Sequence, residues 1–333
     1  MQVVHDAARG ASWMGGAQVQ GQPARPRAAP RGAEPGPGSW TRQQAVKCRI
    51  QADYTARMPA ENTPPAATDL IAFIGGGNMA GALIGGLRRS GWAAAQLRVV
   101  EPDAAQRGRL AQAHGIAPQA AADERLAGAA MVVWAVKPQV FAEAAAPCAP
   151  FVAPALQVSV MAGVRSDTIA RAAGTARVVR AMPNTPALIG LGMTGLFAAA
   201  AVDAAGRERA AGLFAPVGQT LWLDHEEQLD AVTALSGSGP AYVFFFLEAM
   251  EQAALQMGLT AAQGRQLAQA TFAGAAALAE RSPLPLADLR AQVTSKGGTT
   301  HAAITALQDQ GVGDAVQRAV LAAWQRAQAL GRG

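Results

Sequence analysis

The residues of this chain with types and spacing suited to chemistry are glycines placed to admit a phosphate, a carboxylate placed to meet a ribose, and hydroxyls clustered beside glycines. Gly75, Gly77 and Ala80 form the spacing G-x-G-x-x-A. The first glycine permits a sharp turn, and the second lets backbone approach a pyrophosphate with no Cβ in the way. The small third residue allows a helix to pack on the preceding strand. Glu101 lies 24 residues beyond Gly77, close to where this fingerprint holds the acid that accepts hydrogen bonds from a ribose 2′-hydroxyl. An acid there repels a 2′-phosphate and leans the cofactor toward NADH, while Arg107 on the next helix remains within sequence reach of a phosphate. Pro183-Asn184-Thr185-Pro186 fixes its backbone with two prolines and offers the donors and acceptors of Asn184 and Thr185. Two polar glycine stretches follow, Ser236-Gly-Ser-Gly-Pro240 and Thr294-Ser-Lys-Gly-Gly-Thr-Thr300. The second opens a helix whose free N–H groups can hold a carboxylate, with the hydroxyls of Ser295, Thr299 and Thr300 as further donors. The alternative for it is a helix cap with a flexible lead-in. His5, His114, His225 and His301 include no H-x-x-x-H pair, and Cys48 and Cys148 have no metal spacing, so no metal site is expected.

The elements that position these residues alternate. Ile71 to Ile74 is a short apolar run of the kind buried on both faces of a parallel sheet, and Met79, Leu83 and Leu87 then follow at helical spacing. Leu97–Asp103, Met131–Pro138, Leu156–Gly163 and Arg177–Pro183 read as further strands. Pro138 stops its strand and suits the first turn of a helix, where its missing N–H is no loss. A loop at the carboxyl end of such a strand lies over a cofactor crevice, so Lys137 is a candidate to meet the cofactor. Leu191–Ala198 and Thr220–Leu223 complete the sheet. From about Glu226 strand-like runs vanish and alanine-rich helical segments continue to Leu330, with breaks at Ser236–Pro240, Gly258–Thr260 and Thr294–Thr300. The fold class is therefore α/β: an N-terminal Rossmann-type doubly wound sheet over 68–225, followed by an all-helical C-terminal domain over 226–333. Tyr242 to Leu247 is apolar on every face, more than so small a helical domain can bury alone, and implies an interlocked homodimer through that domain.

Half of the residues are hydrophobic and 15% are charged, a globular composition, and the net charge of +5 at first invites a nucleic-acid reading. The distribution removes it. Residues 1–57 hold eight of the 28 basic and three of the 23 acidic residues, leaving 20 of each in the remainder. Residues 1–67 are rich in Ala, Gly, Pro, Gln and Arg without apolar periodicity, and read as a disordered tail. A transit peptide, a basic arm and upstream sequence ahead of a true start at Met58 are the competing origins, and the last is preferred because Met58 stands a short linker before the first strand. No apolar stretch reaches 18 residues, so no membrane span is expected, and two unpaired cysteines fit a reducing cytoplasm.

Five motifs together resemble pyrroline-5-carboxylate reductase: Ile-Gly-Gly-Gly-Asn-Met at 74–79, Ala-Val-Lys-Pro at 135–138, Met-Pro-Asn-Thr-Pro at 182–186, Leu-Ser-Gly-Ser-Gly-Pro-Ala-Tyr at 235–242 and Thr-Ser-Lys-Gly-Gly-Thr-Thr at 294–300. The resemblance runs in order from about residue 70 to 330 and leaves 1–67 unexplained. It implies reduction of the cyclic imine Δ1-pyrroline-5-carboxylate to L-proline, the last step of proline synthesis, by a hydride from NADH or NADPH. Carried over, Gly75, Gly77, Asn78, Met79 and Ala80 hold the pyrophosphate. Val136, Lys137, Pro138 and Ala162 line the nicotinamide side, with Asn184 and Ser236 nearby. Thr300 donates to the imine nitrogen, while Ser295, Gly297, Gly298 and Thr299 bind the substrate carboxylate, with Gln292 just before them. A protonated imine is already electrophilic, so positioning and desolvation suffice without a metal or a covalent nucleophile. Three departures stand out. Lys296 occupies a place where relatives often have Pro. Glu-Pro-Asp at 101–103 replaces a Ser or Arg that would grip a 2′-phosphate. No adenosine-side Asn stands near Ala122. Family members often assemble dimers into a ring of five, which nothing in the residues derives. The competing functions are a reductase of another cyclic imine or of a β-hydroxyacid, and a nucleotide-binding protein without turnover.

Overall fold

The computed structural model describes residues 69–332; the readings of the tail and of Met58 lie outside them. Seven strands form one sheet in the order β2-β1-β3-β4-β5-β6-β7. β1 (Ile71–Ile74), β2 (Leu97–Val100), β3 (Met131–Trp134), β4 (Leu156–Ser159) and β5 (Val178–Met182) pair in parallel. Gln119 adds one parallel bridge to Val100 on the outer side of β2, so the third strand of a 3-2-1-4-5 order is present as a single residue pair.

Strand residues alternate between two covered faces. Six helices provide the cover: α1 (Asn78–Arg89), α2 (Ala104–His114), α3 (Phe141–Ala145), α4 (Ala149–Val152), α5 (Ser166–Ala173) and α6 (Ala204–Phe214). Phe73, Val133 and Val158 pack with Leu83, Leu87, Leu110 and Phe214 of α1, α2 and α6. Ile74, Val132 and Trp134 pack with Phe141, Val152 and Ile169 of α3, α4 and α5. This is why the strands read as continuous apolar runs rather than alternating ones.

The sheet departs from a wholly parallel one at β6 (Gly192–Ala198), which is antiparallel to β5. Residues 183–191 are too few for a helical crossover and form only a tight turn over Thr185–Ile189, so the chain reverses. α6 then supplies a crossover that places β7 (Gly218–Trp222) parallel to β6.

Beyond the sheet come α7 (Gln228–Val232), α8 (Gly239–Gln256), α9 (Ala261–Arg281), α10 (Leu286–Gln292), α11 (Thr299–Asp309) and α12 (Val312–Arg332). The expected break at Ser236–Pro240 is not a loop. A π turn over Thr233–Gly237 carries the helical course from α7 into α8, with the Ser238 N–H donating to the Thr233 carbonyl at 2.8 Å. Pro240 falls in the first turn of α8, the one helical place that tolerates it. The break at Gly258–Thr260 is a true one. Gly258 takes a φ of 85°, and Thr260 caps α9 reciprocally with Gln263. Helix α8 leaves Phe244 59% and Phe245 69% exposed. Among the described residues, no helix is long and apolar enough to cross a membrane.

Candidate active site

The parallel strands end on one rim, and the residues singled out for chemistry follow those ends in order across the sheet. Glu101 follows β2, Gly75 to Asn78 follow β1, Val136 to Pro138 follow β3, Ala162 follows β4 and Asn184 follows β5. In an open α/β sheet this rim is where a nucleotide lies.

At β1 the chain turns on Gly75, with φ of 95°; a Cβ there would stand 2.6 Å from the Ala135 carbonyl oxygen. Gly77 caps α1 without a side-chain hydrogen bond, and a Cβ added to it would enter open space. The first bond of the α1 ladder is Gly81 N–H to the Gly77 carbonyl at 2.9 Å, so the N–H groups of Asn78, Met79 and Ala80 have no acceptor within the helix. An open, uncapped N-terminus of a helix of twelve residues fits a pyrophosphate.

Glu101 is tied into this turn. Its Oε2 accepts from Gly76 N–H at 2.8 Å and its Oε1 from Asp103 N–H at 2.9 Å, leaving lone pairs on both oxygens. Gln106 closes the same turn by donating from Nε2 to the Gly76 carbonyl. Arg107 donates from Nη1 to the carbonyls of Glu101 and Pro102 at 2.9 and 2.7 Å, so that nitrogen is committed to backbone.

On the other side of the rim, Lys137 and Pro138 are exposed while Val136 and Ala162 are half-buried. Asn184 and Ser236, which are 52 residues apart, meet. Asn184 Nδ2 donates to the Ser236 carbonyl at 3.3 Å and to its Oγ at 3.2 Å, and Asn184 Oδ1 accepts from Met193 N–H at 2.9 Å. The Ser236 carbonyl is free for this contact because the residue four places on is Pro240, which has no N–H to donate. One turn earlier, the π bond sends the Ser238 N–H to Thr233 instead of Ala234. The Ala234 carbonyl is similarly released and accepts from Tyr242 Oη at 3.0 Å.

The Thr294–Thr300 stretch is a loop opening a helix, as its composition implies. Gly298, not a hydroxyl residue, caps α11, again without a side-chain bond. The ladder begins at Ala302 N–H to Gly298 O, 3.1 Å, so the N–H groups of Thr299, Thr300 and His301 are left for a ligand. Ser295 Oγ occupies the space beside Gly298, where a Cβ would approach within 2.6 Å. Thr294 is committed elsewhere, donating to the Arg290 carbonyl at 2.6 Å. Gln292 and Gly297 are exposed, and Thr300 is half-buried. Among the described residues, no hydrogen bond joins this loop to Asn184, Ser236 or Lys137 within the single chain.

Sequence reading missed one cluster. Glu226 accepts from Ser166 N–H at 2.7 Å, Ser166 Oγ at 2.9 Å and Arg180 Nη1 at 2.9 Å, with Arg165 3.5 Å away. Arg165 also pairs with Glu227 at 2.6 Å, and hydrogen bonding to that guanidinium holds the Glu227 carboxyl below its ordinary range. Asp230 lies within the field of Arg180 and Arg165, yet burial pushes its carboxyl upward. The signal was available: Arg180 is a charge inside a strand of otherwise apolar residues, and a buried cation requires a partner.

Comparison with known proteins agrees with this geometry. Residues 226–330 match the family model "Pyrroline-5-carboxylate reductase dimerisation", and 70–163 match "NADP oxidoreductase coenzyme F420-dependent". A pyrroline-5-carboxylate reductase of Pseudomonas aeruginosa is 46% identical over 266 residues, 79% of this chain and 97% of that protein. The Haemophilus influenzae enzyme of the same name is 40% identical over 268 residues, 78% of this chain and 97% of its own length. Among solved structures, the pyrroline-5-carboxylate reductase of Coxiella burnetii superposes with a TM-score of 0.74 at 35% identity, over 79% of this chain and 98% of its own. The Plasmodium falciparum pyrroline carboxylate reductase, solved with NADP bound, gives 0.71 at 25% identity over 79% and 98%. With relatives this similar spanned almost end to end, a seven-stranded nucleotide-binding sheet and a matching dimerisation region, the chain belongs to the pyrroline-5-carboxylate reductase family.

Proposed function

We infer that this chain reduces Δ1-pyrroline-5-carboxylate to L-proline with NAD(P)H, the closing step of proline biosynthesis. The observation that supports the reading best is the presence of two helix N-termini without a side-chain cap, one behind the open Gly77 and one behind Gly298. Each offers several unpaired N–H groups, the first suited to a pyrophosphate and the second to a carboxylate. The bound dinucleotide supplies the hydride that reaches the imine carbon. The chain's own residues do the rest by placement. Gly75, Gly77, Asn78, Met79 and Ala80 hold the pyrophosphate, and Val136, Lys137, Pro138 and Ala162 border the nicotinamide half with Asn184 and Ser236. Ser295, Gly297, Gly298 and Thr299 hold the carboxylate of the substrate, beside Gln292. Thr300 directs its hydroxyl to the imine nitrogen and relays a proton to it through water. A positively polarised imine carbon needs orientation and a dry environment more than it needs acid strength.

NADH is the preferred donor in this reading. Glu101 keeps free lone pairs for a ribose 2′-hydroxyl and would repel a 2′-phosphate, and Nη1 of Arg107 is engaged by backbone carbonyls. The working unit is a cytoplasmic homodimer joined through residues 226–333, and the sheet domain is 68–225. The dimer is the building block for any larger ring. The test is a pair of steady-state assays with pyrroline-5-carboxylate, one with NADH and one with NADPH. Turnover with a larger kcat/KM for NADH is expected. A folded protein that binds cofactor and reduces no imine would overturn the function, and a larger value for NADPH would overturn only the preference.

A further inference from the structure

Lysine is scarce in this chain. Of the three in the sequence, Lys47 lies outside the described residues, while Lys137 and Lys296 stand on the loops assigned to the cofactor and to the substrate. Every ion pair found among the described residues is made by an arginine. The planar arginine fork is fixed to groups of the fold, whereas lysine is a compact charge on a flexible stem. The Lys296 side chain is exposed and, among the described residues, has no hydrogen bond or ion pair. Its place is set by a turn. Gly298 N–H donates to the Ser295 carbonyl at 3.0 Å and Gly297 takes a φ of 76°, the signature of a type II turn with Lys296 at its second position. Proline is favoured at that position, which accounts for the Pro that relatives often carry there. Lysine gives up this rigidity and brings a charge. No acidic residue occurs between Asp288 and Asp309, and the equal numbers of acidic and basic groups in 58–333 leave no large opposing field.

We propose that the Lys296 ammonium separates substrate from product by net charge, drawing the anionic imine onto the Ser295–Thr300 loop and giving the zwitterionic amino acid no such advantage. The inference rests on the chain's reduction of pyrroline-5-carboxylate to proline. An imine nitrogen is a far weaker base than a secondary amine. On the alkaline side of neutrality the substrate therefore arrives as a carboxylate with an uncharged nitrogen, carrying one negative charge. Reduction adds one hydride and two protons, and the product leaves as a carboxylate beside an ammonium, with no net charge. The carboxylate is common to both, so the free N–H groups of Thr299, Thr300 and His301 serve each alike. An exposed cation does not. It attracts an anion over about 8 Å at physiological ionic strength, and its pull on a zwitterion is offset by repulsion of the ammonium. Capture of substrate is assisted while release of product is not hindered.

Three variants divide the charge from the turn. Lys296→Gln removes the charge and keeps most of the length, Lys296→Pro suits the turn without the charge, and Lys296→Arg keeps the charge. Steady-state kinetics with pyrroline-5-carboxylate at low and at high ionic strength are set beside inhibition by L-proline. Lys296→Gln and Lys296→Pro should each lower kcat/KM at low ionic strength by about three- to fivefold, the scale of one exposed charge, through KM with kcat retained. Both should flatten the dependence of kcat/KM on salt and leave the L-proline inhibition constant unchanged, and Lys296→Arg should restore the parent's KM and salt dependence. Equal weakening of substrate and L-proline would assign Lys296 to gripping the shared carboxylate and overturn the discrimination. A salt dependence left intact in Lys296→Gln would overturn the attraction. An unaltered enzyme that reduces no imine would overturn the underlying reading and this assignment with it, whereas a working enzyme whose KM is indifferent to Lys296→Gln would overturn this assignment alone.

Discussion

In the proposed site Thr300 and Glu101 serve opposite ends of the reaction, and each makes a different demand of its variant. Thr300→Ala should lower kcat for pyrroline-5-carboxylate by about a hundredfold, the scale of one lost donor at a reacting centre, with little change in cofactor KM. An equal loss in both would remove Thr300 from the imine. Glu101→Ser should move the NADPH-to-NADH ratio of kcat/KM upward by about tenfold. An unchanged ratio would show that the Glu101 carboxylate serves only Gly76 and Asp103, whose N–H groups it already binds. Asp230 makes a prediction in pH. Burial raises its folded-state pKa, so its stabilising contribution is present when protonated and is lost as pH rises through that value. Asp230→Asn should therefore melt higher than the parent at neutral pH, with the gap closing below about pH 4, where even the unfolded side chain is protonated. At this scale the sequence was most legible where function is carried by the backbone. Gly75 and Gly77 announce a turn by type and spacing alone. Arg180 and Glu226 are 46 residues apart, and nothing local to either points to the other.

The strand β5 and the helical course from α7 into α8 are the elements on which the two halves of the chain meet. Their contacts run like rungs: Arg180 to Glu226, Met182 against Gly237, Asn184 to Ser236. Glu226 and Arg180 side chains are 11% and 6% exposed, so breaking the pair leaves a buried charge. Glu226→Ala should cost about 3 kcal/mol in denaturant unfolding, whereas Glu226→Gln, which still accepts from Ser166, should cost less. Comparable losses would mean that charge is irrelevant there. Gly195 lets α7 sit directly on β6, since a Cβ would come within 2.9 Å of both Val232 methyls. A branched side chain cannot swing clear, so Gly195→Ala should be destabilised by about 1–3 kcal/mol. The elements themselves were readable from periodicity, and the reversal at β6 follows from a link too short for a crossover. The π turn was not readable as such. Ser-Gly-Ser-Gly-Pro has the composition of a breaker, and only tertiary partners, Asn184 on one carbonyl and Tyr242 on another, hold those residues in a helical path.

For the molecule as a whole, the balance of charge and the distribution of exposed apolar side chains point the same way. Residues 58–333 carry equal numbers of acidic and basic groups, so association has no large field to overcome. The exposed Phe244 and Phe245 of α8 lie in the region matching the dimerisation family. Replacing both with Glu should convert the protein to a monomer in analytical ultracentrifugation. ADP-ribose binding by the sheet should survive, because its binding elements pack in their own two cores. A dimer that persists would place the interface elsewhere on the helices.

The π turn also acts as a key between two mechanisms. A helix advances about 100° and 1.5 Å with every residue, so a single residue taken from Thr233–Gly237 would rotate everything beyond it through about a quarter of a circle relative to α7. Upstream of the turn the helical course is keyed to the sheet through Val232 and Gly195; downstream it carries Phe244 and Phe245 outward. In the proposed dimer, the angle at which two copies join is thereby indexed to the angle at which the π turn presents Ser236 to Asn184. Neither setting can drift on its own, much as two cams cut on one shaft keep their timing.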